Sequence, residues 1–282
     1  MHNFNLRSLD KPPHGKGLCM VERDEFELIT SPNLHCVVYI AHADRQQNKS
    51  GPECHHRIII RMTRGLAPRL KLLHFTGYIP VLEDWRQNPV FPWGDERTGP
   101  DGGFRSLVYE CCRALPVSLF EMWEEYGNLS RLRNLDMGMY VRPKMGEMLN
   151  SMAKKGVFRS LRSLAGGFSE FGNDLEGLAM DNLVQNVPPL EELHLTGSVD
   201  RSELFFPAIL HCHGTTLRNL HLNPGRFVST KSGLYWASKI ELLAKYCPNI
   251  ESLRIMAGRS HGEATAMPTR WPCIRRWRGC RG

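Results

Sequence analysis

The chain has 282 residues, 41% hydrophobic and 23% charged, which excludes wholesale disorder and allows one large domain or two ordinary ones. Its longest uninterrupted apolar stretch, Cys36 to Ala41, falls far short of the roughly 18–20 residues that cross a bilayer, and the N-terminus lacks a signal-peptide hydrophobic region. The net charge is +7, but Arg270, Arg275, Arg276, Arg278 and Arg281 all follow Pro268; subtracting those five leaves +2, too even a balance for the broad basic field of a dedicated nucleic-acid binder.

Residues 1–33 show no repeat. They are expected to form an irregular N-terminal cap, with Leu18 to Ile29 over the first open strand edge, or to be the remains of a truncated unit. From Leu34 a phrase of the form Leu-x-x-Leu-x-Leu recurs. A weak echo is Leu34, Val37, Tyr39, and a fuller copy is Leu70, Leu73, Phe75. Residues 80–103 then interrupt it with Pro80, Pro89, Pro92, Pro100 and four glycines, around Trp85, Phe91 and Trp93. This predicts a long loop insert whose Trp85 and Trp93 either anchor a partner or fold back over the core. Next, Phe104, Leu107, Val108, Cys111 and Leu115 have the spacing of an amphipathic helix, with Cys111 and Cys112 as ordinary helix residues.

The phrase returns as Leu132, Leu135, Met137; as Leu161, Leu164, with Gly166 in the last slot; as Leu190, Leu193, Leu195; as Leu217, Leu220, Leu222; and as Ile250, Leu253, Ile255. From 132 onward the starts lie 29, 29, 27 and 33 residues apart, the period of a repeat architecture. The 62 residues between the starts at 70 and 132 leave room for two irregular units. Helices are predicted between phrases. Met145, Met148, Leu149 and Met152 make one stripe, after Pro143 and before Gly156; Leu175, Leu178, Ala179 and Leu183 make another, closed by Pro188 and Pro189. Pro207 fits the first turn of a short helix carrying Ile209 and Leu210, and Trp236, Ile240, Leu243 and Cys247 make a longer one that Pro248 ends. Strand and helix alternate, so the expected fold is an α/β solenoid, a curved parallel sheet inside and helices outside, over residues 34–257. Residues 258–282 are expected to be a disordered basic tail.

On these residues the chain resembles leucine-rich-repeat proteins of the ribonuclease-inhibitor-like type, and in particular the repeat regions of fungal F-box proteins. Leu242 to Ile255 is similar to the cysteine-containing repeat consensus, and Thr216 to Leu222 carries a compact copy. The resemblance implies a protein-binding scaffold and a substrate-recognition role in ubiquitin-ligase-type assemblies. Two features depart from the family pattern. The position eight after the first leucine is Tyr78, Tyr140, Ser169, Ser198, Gly225 and Gly258, with no Asn among them, and no F-box is visible ahead of the repeats.

Residues between the phrase leucines point to the other face of the sheet. Among them Asn134, Asp136, Glu192, His194, Asn219, His221 and Arg254 are the candidate contacts for a protein partner, and His194 and His221 should be neighbours. The alternatives are a sheet face that is merely solvated, in a structural or truncated repeat protein without a ligand, and a nucleic-acid or acidic-surface binder working through the tail, where Trp271 and Trp277 mix with arginine. No metal is expected. The histidine pair lacks a third ligand, and Cys54-His55-His56 and His211-Cys212-His213 lack zinc-site spacing, so they read as free buried cysteines and surface histidines.

Nine cysteines without paired spacing fit free thiols in the cytoplasm or nucleus, where the Asn-x-Ser matches at Asn48 and Asn128 are inert. The chain has no Gly-x-Ser-x-Gly, phosphate loop, dinucleotide fingerprint or His-Glu-x-x-His. The expectation is therefore a monomeric, non-enzymatic scaffold without a cofactor.

Overall fold

The second and third apolar residues of each phrase lie two apart, so in an extended chain they point to one side and can be buried together. The computed structural model describes residues 27, 31–41, 59–60, 62–77, 103–111, 115–138, 141–167, 182–197, 205–223 and 232–255. Its strands are β1 (Cys36–Ala41), β2 (Leu72–Gly77), β3 (Ser106–Cys111), β4 (Asn134–Asp136), β5 (Ser163–Gly167), β6 (Glu192–Thr196), β7 (Asn219–Asn223) and β8 (Ser252–Ile255). Its longer helices are α1 (Val117–Tyr126), α2 (Pro143–Lys154), α3 (Phe205–His213) and α4 (Ser232–Tyr246). The strands form one sheet, parallel throughout, in the order β1 to β8. The class is α/β, and a sheet whose neighbours in space are its neighbours in sequence is compatible with a repeat solenoid.

Register puts equivalent slots side by side. Val37, Leu73, Leu107, Leu135, Leu164, Leu193, Leu220 and Leu253 make one row across the sheet. All but Leu253 are buried, and each fully buried leucine contributes about 1.5–3 kcal/mol. The third-slot row is graded in size. At one end Tyr39 meets Phe75 edge-on at 5.9 Å, and Phe75 stacks on Tyr109 at 5.0 Å. In the middle stands Gly166, where a Cβ would come within 3.0 Å of Met137 Cε. The methionine of the preceding phrase thus fills the space that a leucine takes in β6 and β7, which accounts for the missing leucine at this copy.

One expectation is overturned. The stretch from Phe104 is not a helix but β3, with parallel partners on both sides: Leu107 pairs with Leu73 and with Leu135. Phe104, Leu107 and Tyr109 are the phrase written with aromatic residues at its ends. The same apolar positions satisfy a 3.6-residue period, and a run this short does not separate the two readings without its neighbours. The helix follows instead. Pro116 precedes α1 in an extended conformation (φ −73°, ψ 143°) and Gly127 ends it, and α1 buries Leu119, Phe120, Met122 and Trp123. The gap between the starts at 70 and 132 therefore holds a start at 104, spaced 34 and 28 residues from them. Among the described residues it holds one unit rather than two.

The other described helices start and stop at the residues that mark them. Pro143 opens α2, which buries Met145, Gly146, Leu149, Met152 and Ala153, and Gly156 follows at φ 72°, a left-handed conformation that costs glycine nothing. Pro207 lies in the first turn of α3 and Pro248 follows α4. Of the helix expected over Leu175 to Leu183, only 182–186 is described, and it is helical with Leu183 and Val184 buried. The insert up to residue 102, with Trp85 and Trp93, lies outside the described residues, as do Cys54-His55-His56, nearly all of the N-terminal 33 residues and the basic tail.

Gly214, just after α3, is where the ends of two helices meet. A Cβ there would lie 2.5 Å from the Leu210 carbonyl oxygen and 2.6 Å from that of Tyr246, and both obstacles are backbone. Gly214→Ala should lower stability by roughly 1–3 kcal/mol, seen as an earlier urea midpoint at unchanged slope. An alanine variant as stable as the parent would mean that the α3 and α4 ends separate freely.

Candidate functional site

The face opposite the leucines changes character along the sheet. Over β1 to β3 it carries Val38, Ile40, Leu72 and Val108; from β4 onward it is mainly polar. Two rows run across the polar half. In the first, Asn134, Ser163, Glu192, Asn219 and Ser252 are in register; in the second, Asp136, Ala165, His194, His221 and Arg254. Glu192 ties three strands together, since Ser163 Oγ donates to its Oε2 at 3.1 Å and Asn219 Nδ2 to its Oε1 at 2.9 Å. The His194 and His221 rings stack with centroids 4.0 Å apart. Burial, then the neighbouring charges of His194 and Arg254, push the His221 pKa down, so near neutral pH the second row presents an uncharged imidazole between His194 and a guanidinium.

Five of the seven candidate contacts, Glu192, His194, Asn219, His221 and Arg254, are thus contiguous across β6 to β8. Asn134 and Asp136 stand apart, separated from them by Ser163, Ala165 and Gly167 of β5. Asp136 also has a local task, because its Oδ1 accepts the Gly138 N–H at 2.9 Å and braces the turn after β4. The small β5 residues make a floor between taller walls. The result is a cleft of about 610 Å3 lined by Val108, Asn134, Asp136, Ser163, Ala165 and Glu192, with Arg105, Arg133 and Arg162 at its rim. On β2, His74 Nε2 lies 3.2 Å from Glu110 Oε2. That is within ion-pair range, but the atoms are not aligned as a hydrogen bond, and this buried nitrogen makes none.

The rim arginines were not among the residues singled out from the sequence. They occupy the second slot of the phrase, one after the first leucine: Lys71, Arg105, Arg133, Arg162, Glu191, Arg218 and Glu251. Each carbonyl in this series accepts the N–H of the next member, at 3.0 Å from Arg105 to Lys71 and 2.7 Å from Arg133 to Arg105, and onward to Glu251. The side chains therefore share one edge of the sheet. Beside them opens a second cleft, of about 800 Å3, which also takes in Arg131, Arg159, Pro188, Pro189 and Thr215. The signal was present in the sequence as a periodic basic slot, invisible to a count of net charge.

His213 departs from its expected place on the surface. It is wholly buried at the end of α3, its Nδ1 accepting the Leu190 N–H at 3.1 Å and its Nε2 lying 2.9 Å from the Val184 carbonyl oxygen. Both contacts are satisfied together only by the neutral ring with its proton on Nε2. Burial, outweighing the Val184 hydrogen bond, lowers its pKa. Cys212 beside it is half-buried with a raised pKa, and burial lifts the Cys247 thiol to about 11, so neither has the character of a reactive thiolate. Among the described residues no three His, Cys, Asp or Glu side chains are placed to hold a metal ion, and no helix is long and apolar enough to cross a membrane. No protein-family model matches the chain, and a search of curated proteins finds no match.

Proposed function

We propose that the chain is a leucine-rich-repeat solenoid acting as a non-enzymatic protein-interaction scaffold, with the polar half of the leucine-free sheet face as its contact surface. One observation carries this reading. Parallel strands in strict chain order array Glu192, His194, Asn219, His221 and Arg254 as a contiguous polar surface beside a cleft floored by small residues. Such a surface is fixed by the backbone ladder, so it binds without first paying for order. Its chemistry is that of recognition: donors, acceptors and one guanidinium, aligned at the strand spacing of about 4.8 Å, which is also the spacing at which another polypeptide presents its groups.

The resemblance to F-box repeat regions extends the proposal to substrate recognition in a ubiquitin-ligase-type assembly. Tagged full-length protein and the triple variant His194→Ala, His221→Ala, Arg254→Ala, recovered from the native host, test both levels. A specific protein partner should fall at least tenfold in the variant eluate by quantitative mass spectrometry, while the variant's melting temperature stays within a few degrees because all three side chains are on the surface. Recovery of every partner at the parent level sinks the surface. Absence of adaptor and cullin subunits from both eluates sinks the ubiquitin-ligase extension alone.

A further inference from the structure

The edge of the sheet that carries the second phrase slot is the most strongly charged part of the described molecule. Four successive members are basic, Lys71, Arg105, Arg133 and Arg162, before Glu191 interrupts the series. The backbone bonds that link them fix their Cα atoms at about 4.8 Å intervals, so the basic run is about 14 Å long. Neighbouring cations at that distance repel. Further along, the structure relieves the repulsion internally: Arg162 Nη1 meets Glu191 Oε1 at 2.6 Å, and Arg218 Nη1 meets Glu251 Oε1 at 3.4 Å. Arg105, Arg133 and Arg159 are exposed, line the same 800 Å3 cleft and have no carboxylate partner among the described residues.

We infer that this arginine edge binds an acidic segment of a partner polypeptide, one carrying two or three carboxylates or phosphoesters within a few residues. The inference rests on the protein-scaffold reading for the class of partner but uses different side chains. Guanidinium groups offer paired N–H donors that match the two oxygens of a carboxylate or phosphate, which suits them to this role better than lysine. Two observations favour a peptide over a nucleic acid. None of the residues lining the cleft is aromatic, so there is no platform on which bases could stack. The basic run is also short and bounded by Glu191, with Glu192 and Asp136 on the adjoining face, whereas gripping a nucleic-acid backbone takes on the order of six to ten phosphate contacts.

Fluorescence anisotropy with the full chain tests this. The probes are three labelled dodecapeptides alternating glycine with glutamate, phosphoserine or glutamine, and a labelled uridine dodecamer. The glutamate or the phosphoserine peptide should bind, at least tenfold more tightly than the glutamine peptide, with affinity falling steeply between 50 and 200 mM salt as exposed charges are screened; the tighter of the two identifies the anion. The variant Arg105→Gln, Arg133→Gln, Arg159→Gln should lose at least tenfold, and the corresponding lysine variant should keep part of the binding. The His194→Ala, His221→Ala, Arg254→Ala variant should bind the acidic peptides as the parent does, so loss of the host partner in that variant and loss of peptide in the glutamine variant are separate results. The inference is overturned by equal binding of the glutamine peptide, by unchanged affinity in the glutamine variant, or by tighter binding of the oligonucleotide than of either acidic peptide.

Discussion

Replacing Trp123 with alanine should cost about 3–5 kcal/mol of folding stability, the range for emptying a buried aromatic site. The indole is fully buried on α1, stacked on Phe104 with ring centroids 5.7 Å apart and planes 4° from parallel. Its Nε1–H donates to the Tyr109 hydroxyl at 2.6 Å. Phe104 opens the third phrase and Tyr109 closes it, so this one side chain holds both ends of β3 to the helix that follows. Alanine removes the stacked area, opens a cavity and takes away a donor inside a low-dielectric core. Trp123→Phe separates the effects: it keeps most of the ring volume and loses the N–H, for roughly 1–2 kcal/mol. Urea unfolding followed by circular dichroism reads both. A loss below about 1 kcal/mol for alanine would show that α1 does not seat on β3.

His213→Phe should be nearly as damaging, at about 2–5 kcal/mol, although it preserves volume. In most phrases the first apolar residue closes a local turn: Leu70 N–H bonds to Ala67 O, Leu132 to Leu129 O and Leu161 to Phe158 O. Before Leu190 stand Pro188 and Pro189, and the Leu190 N–H goes to His213 instead. The same residue's own carbonyl accepts from Thr216 and Leu217, so His213 joins the phrase at Leu190 to the phrase at Leu217. Phenylalanine strands a buried N–H and a buried carbonyl, each at about 1–3 kcal/mol.

The pH dependence follows from the lowered pKa. Because the folded state binds the proton less readily than the unfolded chain, the stabilisation is complete above the ordinary histidine value of about 6.5 and is lost progressively as pH falls below it, through the folded-state value. His221 shifts in the same direction, so the quantity to compare is the difference between parent and His213→Phe across pH 5 to 8. The parent should lose stability on acidification more steeply than the variant. Parallel curves would show that His213 does not hold this junction.

Most of the fold was legible because the sheet is built from one local pattern. An alternation of period 2, closed by a turn and followed by a proline- or glycine-bounded helical stripe, locates β2 and β4 to β8, and α2, α3 and α4. It failed at Phe104, Leu107 and Tyr109, where aromatic residues stand in the leucine slots and the same spacing reads as a helix; only the pairing of Leu107 with Leu73 and Leu135 decides it. The polar row was legible for the same reason, since register follows from the pattern: His194 lies opposite His221, and His221 opposite Arg254. The burial of His213 was not, because it depends on a missing turn acceptor more than twenty residues away. The arginine edge was overlooked because opposite charges elsewhere cancel in a sum while Arg105 and Arg133 do not cancel in place.

The strictly sequential strand order bears on how the chain assembles. Each strand docks on one made just before it, across starts 27 to 36 residues apart, and the entropy of closing such loops differs by only about 0.25 kcal/mol over that range. Topology therefore sets no preferred nucleus, and side-chain content does. The aromatic stack of Tyr39, Phe75 and Tyr109, with Phe120 tilted on Tyr109, buries the largest side chains early in the sequence, while Leu253 and Ile255 of β8 are only partly covered. Growth can thus begin near β2 and β3 and zip toward β8 in the direction of synthesis, with no strand left waiting for a partner not yet translated.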